Sequence, residues 1–460
     1  MIYDVVIIGG GPGGYTAAIR ASQKGLKTAL IEKGRVGGTC LNLGCIPTKS
    51  LLNASKLYYK MKHSNELGIE ASGLSYNLST IYERKNQIVE KLVTGIQHLI
   101  DGNQIDFFYD HASFLNEHQL ELQDTKEVIE GKQIIIATGS KPRMFPFVGN
   151  DLANVYTSDD VMSSPIDAKQ ICIVGGGVIG VELADFYSDL GCEVTIIESE
   201  KQILPALDRE LSLSLAAYLK KKGVTILTNT RFIDNVQEES YMIHYQVNDE
   251  IHHLENEALI IAVGREASTK GLALEKVNIQ TNHGFITVNH NYQTNLPHIY
   301  AIGDVGGAIQ LAHVASFQGK NCISYILNEG FIVEEPIVPY CIYTGIEIAY
   351  VGMSEQSAKE NGIATKTHKI LMNTNGKHLI ETEERAFLKI LVDEEDHILG
   401  AQLFCKQATE LVSYFTLAIQ KNLSVVELKD IIFPHPTISE VIGESFEMAL
   451  GEAIHQIKKR

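Results

Sequence analysis

One pattern of apolar and polar positions occurs twice along the chain. An apolar run over residues 5–8 leads into a glycine-rich turn and then into small residues from 15 to about 24, which predicts a strand followed by a helix. A second apolar run then ends at the acid Glu32. The same order recurs from Ile171, through another glycine-rich turn, to Glu198. The sequence therefore predicts two copies of one strand–turn–helix–strand unit.

The glycines of both copies suit a dinucleotide site. The first permits a tight turn, the second lets a pyrophosphate approach the backbone, and the third lets the helix pack closely on the strand. The helix N-terminus favours the pyrophosphate charge, and the acid accepts hydrogen bonds from ribose hydroxyls. The two sets are Gly9, Gly11, Gly14 with Glu32, and Gly175, Gly177, Gly180 with Glu198. A lone motif is often only a turn, but two copies with the acid in register predict two bound dinucleotides.

The residues after Glu198 indicate which nucleotide the second copy takes. Ser199 and Glu200 follow, and the first arginine is Arg209. A site for NADP usually places an arginine near this strand to pair with the 2′-phosphate. Two carboxylates would repel that phosphate, so the second site is predicted to prefer NAD.

Cys40 and Cys45 form a closely spaced thiol pair directly after the first unit. Such a pair can close a small disulfide ring, and a strained ring is easily reduced. Pro47 suits the first turn of a helix, which would place Cys45 near a helix N-terminus where the dipole favours a thiolate. The pair alone is weak evidence of redox chemistry. A metal site would need further ligands at close spacing, so no metal is predicted.

Composition narrows the class of protein further. The chain has 460 residues, seven cysteines and a net charge of −17, which disfavours nucleic acid and anionic membranes as partners. No apolar run approaches the roughly 20 residues that a helix needs to cross a bilayer. The other five cysteines are scattered singly and are expected to be core residues. They are Cys172, Cys192, Cys322, Cys341 and Cys405. A cytoplasmic protein without membrane insertion is expected.

A possible base lies near the C-terminus. His435 stands between two prolines, and an imidazole can take or give a thiol proton. Glu440, five positions on, could hydrogen-bond the ring and select its tautomer. The same stretch also has the form of a helix capping box, with Thr437 at the N-cap and Glu440 at the third helical position. On local sequence alone, the cap is the stronger of these two interpretations.

Seven segments carry a larger pattern: residues 4–14, 37–49, 134–140, 171–180, 300–304, 311–313 and 435–440. In this order and spacing they resemble the flavin-dependent pyridine nucleotide–disulfide oxidoreductases, and the resemblance covers nearly the whole chain. It implies FAD in the first unit and NAD in the second. The implied FAD residues are Gly9, Gly11, Gly14, Glu32, Lys33, Gly38, Thr39, Cys40, Lys49, Ala112, Thr138, Gly139, Ser140, Asp304, Leu311, Ala312 and His313. The implied NAD residues are Gly175, Gly177, Val178, Ile179, Gly180, Glu182, Glu198 and Gly264.

The resemblance also implies specific roles. Asp304 would bond the ribityl chain of the flavin, Lys49 would lie beside the ring and Glu182 beside the nicotinamide. Cys40 and Cys45 would form the redox disulfide. His435 and Glu440 would act as a catalytic pair on the disulfide of the other subunit, which reverses the local preference for a cap and implies an obligate homodimer.

The resemblance is closest to the members that oxidise protein-bound dihydrolipoyl groups with NAD. The implied partner is a lipoyl-bearing acyltransferase subunit of a 2-oxo acid dehydrogenase complex, or a lipoylated glycine cleavage protein. Two alternatives are another FAD-dependent disulfide reductase of the family and a non-catalytic docking protein that retains the fold. Four departures from the family pattern have no assigned effect: Glu266, Val314, Ile346 and Arg385.

The implied fold is α/β, with two Rossmann-like domains and an α+β dimerisation domain. The FAD domain is expected over residues 1–144 and 269–335, the NAD domain over 145–268 and the dimerisation domain over 336–460. An insertion from 53 to about 100 has helical apolar spacing at Ile88, Leu92, Ile96 and Leu99. Alternating strands, such as residues 387–392, are expected in the third domain.

Overall fold

Three large sheets organise the computed structural model, which describes residues 1–307, 309–330 and 337–455. The elements up to residue 142 are β1 (Ile2–Ile8), α1 (Pro12–Gln23), β2 (Thr28–Ile31), α2 (Gly38–Asn42), α3 (Cys45–Lys62), α4 (Leu78–Gly102), β3 (Asp106–Phe108), β4 (Ala112–Phe114), β5 (Gln119–Leu122), β6 (Val128–Ile136) and β7 (Ser140–Pro142). The elements from 155 to 267 are β8 (Val155–Thr157), α5 (Ser158–Ser163), β9 (Gln170–Val174), α6 (Val178–Asp189), β10 (Glu193–Ile197), α7 (Arg209–Lys221), β11 (Thr225–Leu227), β12 (Thr230–Gln237), β13 (Tyr241–Val247), β14 (Glu250–Asn256), β15 (Ala258–Ile261) and β16 (Arg265–Ala267).

The remaining elements complete the first sheet and form a third. They are β17 (Thr281–Asn282), β18 (Phe285–Ile286), β19 (Ile299–Ala301), α8 (Ala312–Ile326), β20 (Tyr340–Ile342), β21 (Glu347–Gly352), α9 (Glu355–Glu360), β22 (Lys366–Leu371), α10 (Gly376–Glu381), β23 (Phe387–Val392), β24 (Ile398–Cys405), α11 (Ala408–Gln420), α12 (Val425–Leu428) and α13 (Glu440–Ala449). Short 3₁₀ helices lie at Ser64–Leu67, Leu274–Val277, Gly303–Gly306 and Met372–Thr374.

The first sheet has the order β3-β2-β1-β6-β5-β4, with β19 beside β6. Its central strands are parallel, and α1 connects β1 to β2. Val5 and Ile7 of β1 pack into one core, while Val6 and Ile8 pack into another. Because both faces of the strand are covered, its sequence is continuously apolar rather than alternating.

The second sheet repeats this arrangement in a smaller form. Its order is β11-β10-β9-β15-β8, every pairing is parallel, and α6 connects β9 to β10. An antiparallel sheet of β12, β13 and β14 follows α7 in the chain. β7 pairs with β16, which joins the end of the first unit to the end of the second.

The third sheet is antiparallel, in the order β20-β21-β24-β23-β22. The strand predicted over residues 387–392 is confirmed, but all six of its residues are buried, so the expected alternation is wrong. Phe387 packs into the core that surrounds the second sheet, while Leu388 and Ile390 pack into a core with α11 and α13. β23 lies between two cores and therefore has no solvent face.

The insertion forms helices, as its spacing predicts, and α4 buries only part of its apolar spacing. Leu92 and Leu99 are exposed, whereas Tyr82, Lys85 and Val89 are buried. The Tyr82 hydroxyl donates to the carbonyl of Val161, and Lys85 Nζ donates to that of Met162. These two hydrogen bonds join the buried face of α4 to α5.

The observed fold confirms the α/β class with two Rossmann-like units and a mixed third domain. The domain boundaries remain predictions. The boundary at 335/336 and the chain end at 460 lie outside the described residues. Over the ranges that are described, no helix is both long and apolar enough to cross a membrane.

Candidate active site

A cavity of about 1180 Å³ extends between the two glycine turns. The predicted FAD residues that line it are Gly11, Glu32, Gly38, Thr39, Cys40, Lys49, Thr138, Gly139, Ser140, Asp304, Leu311, Ala312 and His313. The predicted NAD residues that line it are Gly175, Gly177, Val178, Ile179, Glu182, Glu198 and Gly264. The fold thus brings residues from both units to one continuous space, in which Cys45 also lies.

Five predicted cofactor residues do not line the cavity: Gly9, Gly14, Gly180, Lys33 and Ala112. A Cβ on Gly14 would lie 1.8 Å from the carbonyl oxygen of Gly9, and one on Gly180 would lie 2.0 Å from that of Gly175. These third glycines allow the close approach of helix and strand. Ala112 is buried in β4 and Lys33 is exposed, so their cofactor contacts stay predictions.

The two acids hold the glycine turns in the same way. Glu32 Oε2 accepts a hydrogen bond from the backbone N–H of Gly10 at 2.6 Å, and Glu198 Oε2 accepts one from Gly176 at 2.7 Å. Each carboxylate directly follows its strand, β2 or β10. The second carboxylate oxygen of Glu198 accepts from the N–H of Glu200 at 2.9 Å. The repeat seen in the sequence is therefore also a repeat of hydrogen bonding.

The cavity surface fits two nucleotides. A Cβ on Gly139, Gly177 or Gly264 would meet no protein atom within 4 Å, so the backbone at these positions is open to a ligand. The hydroxyl of Thr138 is buried and has no hydrogen-bond partner in the protein. Such a buried orphan beside open backbone fits a polar ligand that completes its hydrogen bonding.

The thiol pair lies where α2 ends and α3 begins. Cys45 is the first residue of α3, as Pro47 predicts, and both cysteines are free thiols in this structure. A hydrogen bond from Cys40 and the nearby charge of Lys49 lower the pKa of Cys45 to about 7, although burial opposes the shift. The same hydrogen bond, with burial, raises the pKa of Cys40. Cys45 is therefore the more acidic thiol of the pair.

Lys49 and Glu182, assigned by resemblance to different cofactors, form an ion pair. Lys49 Nζ lies 2.8 Å from Glu182 Oε2 and 4.5 Å from the centre of the Tyr343 ring. Glu182 Oε1 also accepts from the backbone N–H of Tyr343 at 2.9 Å. A fixed cation is therefore held within the cavity, one helical turn beyond Cys45.

Asp304 lies at the end of a hydrogen-bond chain. The hydroxyl of Ser140 donates to Asp304 and accepts from Arg265 Nε at 2.7 Å. Arg265 also donates to the carbonyl of Ser140 at 2.7 Å. Asp304 follows β19, Ser140 begins β7 and Arg265 begins β16. The pairing of β7 with β16 therefore brings Ser140 and Arg265 of this hydrogen-bond chain together.

His435 and Glu440 are bonded to each other but do not line the cavity. Glu440 Oε1 accepts from His435 Nδ1 at 2.8 Å, and the His435 side chain is 78% exposed. Burial raises the pKa of Glu440, but hydrogen bonds from the Thr437 N–H and from His435 outweigh this effect. The pKa of Glu440 therefore lies below its usual range. Within one chain, the structure does not bring this pair to the thiols.

Sequence reasoning missed several residues of the site. Arg265, Tyr343 and Arg231 all line the cavity, and Cys341, expected in the core, lines it as well. Arg231 directly follows Thr230, whose N–H bonds the carbonyl of Glu198, so an arginine does lie near that acid. Only Arg265 had a local signal, since it follows the predicted Gly264. Among the described residues, no cluster of three or more His, Cys, Asp or Glu side chains suits a metal.

The four departures from the family pattern do not line the cavity. Ile346 and Val314 are buried in the core. Glu266 pairs with Lys141 at 3.0 Å, and Arg385 pairs with Glu210 at 3.0 Å. Their positions leave the thiols and the glycine turns unaffected.

Residues 3–319 match the pyridine nucleotide-disulphide oxidoreductase family, and residues 338–446 match the dimerisation domain of that family. The chain belongs to this family, its cofactors are FAD and NAD, and the dimerisation domain supports a homodimer. Dihydrolipoyl dehydrogenase from Bacillus subtilis is 39% identical over 98% of this chain and 99% of its own length. The dihydrolipoyl dehydrogenase of Geobacillus stearothermophilus is 35% identical over 99% and 98%.

Solved structures agree with this assignment. The HOCl-induced flavoprotein disulfide reductase RclA from Escherichia coli matches with a TM-score of 0.87 and 29% identity, over 97% of this chain and 100% of that one. LpdA from Mycobacterium tuberculosis matches with a TM-score of 0.89 and 25% identity, over 97% and 99%. The resemblance found in the sequence is confirmed.

Proposed function

We propose that the protein is a dihydrolipoyl dehydrogenase, which oxidises a protein-bound dihydrolipoyl group and passes the two electrons to NAD⁺. The observation that carries the proposal is the position of Cys45. It begins α3, has a lowered pKa, lies beside Cys40 and opens into the cavity that joins both glycine turns. Relatives of this name are similar along nearly their whole length, which supports the proposal.

The thiol chemistry follows from the unequal pKa values of Cys40 and Cys45. In the oxidised pair, one substrate thiolate attacks the sulfur of Cys40, and the S–S bond breaks to release Cys45. A thiol of lower pKa leaves faster, so attack on Cys40 is favoured. The second substrate thiolate then displaces Cys40, and the substrate leaves as a cyclic disulfide, having lost two electrons and two protons. Bound FAD would supply the redox chemistry that carries this electron pair from the Cys40–Cys45 dithiol to NAD⁺.

His435 would take the proton from the substrate thiol. Because Glu440 accepts from Nδ1, the other ring nitrogen, Nε2, is left free to receive that proton. The exposed ring does not reach Cys40 in its own chain. We therefore assign His435 to the site of the second subunit, which makes the homodimer necessary for activity.

The partner would be a protein that carries a lipoyl group, either the acyltransferase subunit of a 2-oxo acid dehydrogenase complex or a lipoylated glycine cleavage protein. A swinging lipoyl arm suits a thiol pair that lies inside the cavity between the two glycine turns. A reducing cytoplasm suits the five cysteines outside this pair, which are free thiols.

Turnover assays with NAD⁺ test the proposal. Purified protein should be yellow. It should catalyse the oxidation of dihydrolipoamide by NAD⁺ much faster than the reduction of glutathione disulfide by NADPH. Reduction of glutathione disulfide without oxidation of dihydrolipoamide would favour another disulfide reductase of the family. A colourless protein without either activity would favour a docking role.

A further inference from the structure

Three charged side chains form a buried cluster behind the thiol site. Lys222, at the end of α7, pairs with Asp185 and Asp189 of α6, and no side chain of the three is more than 2% exposed. Burial opposes the charge of Lys222, but the two carboxylates outweigh it and raise its pKa. Burial and the charge of Asp185 raise the pKa of Asp189 to about 6, although Lys222 opposes this. The Lys222 ammonium also lies 5.0 Å from the Tyr59 ring centre and 5.4 Å from that of Tyr218.

The cluster ties three parts of the fold together. Asp189 Oδ2 accepts from the hydroxyl of Ser55 on α3 at 2.9 Å. Asp185 Oδ2 accepts from the backbone N–H of Gly345, between β20 and β21, at 2.7 Å. Two carboxylates of one helix thus hold the helix that begins at Cys45 and a loop of the third domain.

The same helix and the same loop hold Lys49. Glu182 lies one turn before Asp185 on α6 and pairs with Lys49. Tyr343, two residues before Gly345, donates its N–H to Glu182 and places its ring against Lys49. The loop over residues 343–345 is therefore bonded to α6 twice, once through Glu182 and once through Asp185.

We propose that the Asp185–Lys222–Asp189 cluster is a positioning group for the Lys49–Glu182 pair and thereby controls electron transfer between the nicotinamide nucleotide and the flavin. This inference rests on the proposed function. Releasing Gly345 or Ser55 shifts the loop and α6 relative to Lys49. No hydrogen bond or ion pair joins the cluster to Cys40, His435 or Glu440, so it affects substrate oxidation less, through the charge of Lys49 near Cys45.

Two half-reactions separate this role from a general loss of stability. Stopped-flow measurement of flavin reduction by NADH reports the nucleotide side, and reduction of the oxidised enzyme by dihydrolipoamide reports the thiol side. In Asp185→Asn, the NADH rate should fall about tenfold, because a displacement of well under 1 Å at reacting groups has effects of that order. The dihydrolipoamide rate should change by less than about twofold, since Lys49 acts on that half-reaction only through its charge near Cys45, which a small displacement alters little.

A matched control lies next to Lys222. Lys221 is on the same helix and pairs with Glu384, but its side chain is 67% exposed. Lys221→Met should leave both rates unchanged. If Asp185→Asn does not fold, the triple variant Asp185→Asn, Asp189→Asn and Lys222→Met removes all three charges together, which avoids an unpaired buried charge. It should show the same selective loss of the NADH rate.

The outcomes are distinct. Equal loss of both rates, loss of neither, or failure of both variants to bind FAD would overturn the inference. Failure of the proposed function would appear in the wild type, as flavin reduction by NADH without any reduction by dihydrolipoamide. In that case the NADH rate alone still tests the cluster, through the contrast between Asp185→Asn and Lys221→Met.

Discussion

Glu440 serves His435 and the backbone at the same time. Its Oε1 accepts from His435 Nδ1 at 2.8 Å, while its Oε2 accepts from the backbone N–H of Thr437 at 2.8 Å. The hydroxyl of Thr437 bonds the carbonyl of Pro434, and α13 begins only at Glu440, so the capping box expected with Thr437 at the N-cap is half formed. The catalytic and structural interpretations therefore share one carboxylate.

This shared carboxylate predicts the effect of Glu440→Gln. One of the two donors would face the amide NH₂, so the orientation of the imidazole would be lost. Turnover of dihydrolipoamide should fall roughly 10–100-fold, as when a hydrogen-bonded partner of a functional histidine is removed. Flavin reduction by NADH should be nearly unchanged. The matched control is Glu444→Gln, one turn further along α13, where Glu444 pairs with His455. Equal losses in both variants would contradict the role of Glu440.

Mixed dimers test where His435 acts. His435→Gln should slow turnover by roughly 10²–10⁴-fold, as expected for loss of a general base. When this variant exchanges subunits with Cys45→Ser, one site carries both substitutions and the other carries none. Heterodimers should then recover about half of the wild-type activity. Verified heterodimers without recovery would place His435 in the site of its own chain.

The lowered pKa of Cys45 predicts a pH-dependent absorbance. A thiolate beside the flavin should give the two-electron-reduced enzyme a long-wavelength band. Because the pKa of Cys45 is about 7, the band should be present above that pH and disappear as the pH falls through it. Lys49→Met removes a stabilising charge, so the midpoint should move to higher pH. Cys45→Ser should abolish the band while FAD stays bound, and persistence of the band there would refute the assignment.

Glu198 predicts the choice of nucleotide. The N–H groups of Gly176 and Glu200 hold its carboxylate, which we expect to accept from an adenosine ribose, so Glu198→Ala should raise KM for NAD⁺. Replacement by arginine should shift the ratio of kcat/KM toward NADP⁺. Arg231→Gln should be measured alongside the Glu198 variants, because Arg231 also lines this end of the cavity. Equal use of both nucleotides by the wild type would show that Arg231 outweighs Glu198.

The buried face of α4 predicts a contrast in stability. Val89→Asp should lower the free energy of unfolding by about 2–4 kcal/mol, because the buried carboxylate would have no partner. Leu92→Asp, on the exposed face, should change it by no more than about 0.5 kcal/mol. Urea denaturation followed by circular dichroism measures both. The reverse order would mean that Leu92, rather than Val89, lies on the buried face.

The sequence by itself determined the features that depend on neighbouring residues. The glycine turns, the acids that follow β2 and β10 and the position of Cys45 at the start of α3 all form within short segments. Backbone conformation, helix start signals and short side-chain reach decide such features, so residue type and spacing were enough to predict them. The family resemblance then supplied roles that local chemistry left open.

Only the tertiary structure decided which distant groups meet. Lys49 pairs with Glu182 across 133 positions of sequence, and Arg265 reaches Ser140 across 125. The buried face of α4 and the two buried faces of β23 depended on neighbours that periodicity does not reveal. Lys222 became a buried cation because packing brought Asp185 and Asp189 to it. These contacts arise from the docking of whole helices and sheets, where the energy depends on the joint shape and charge of segments far apart in the chain.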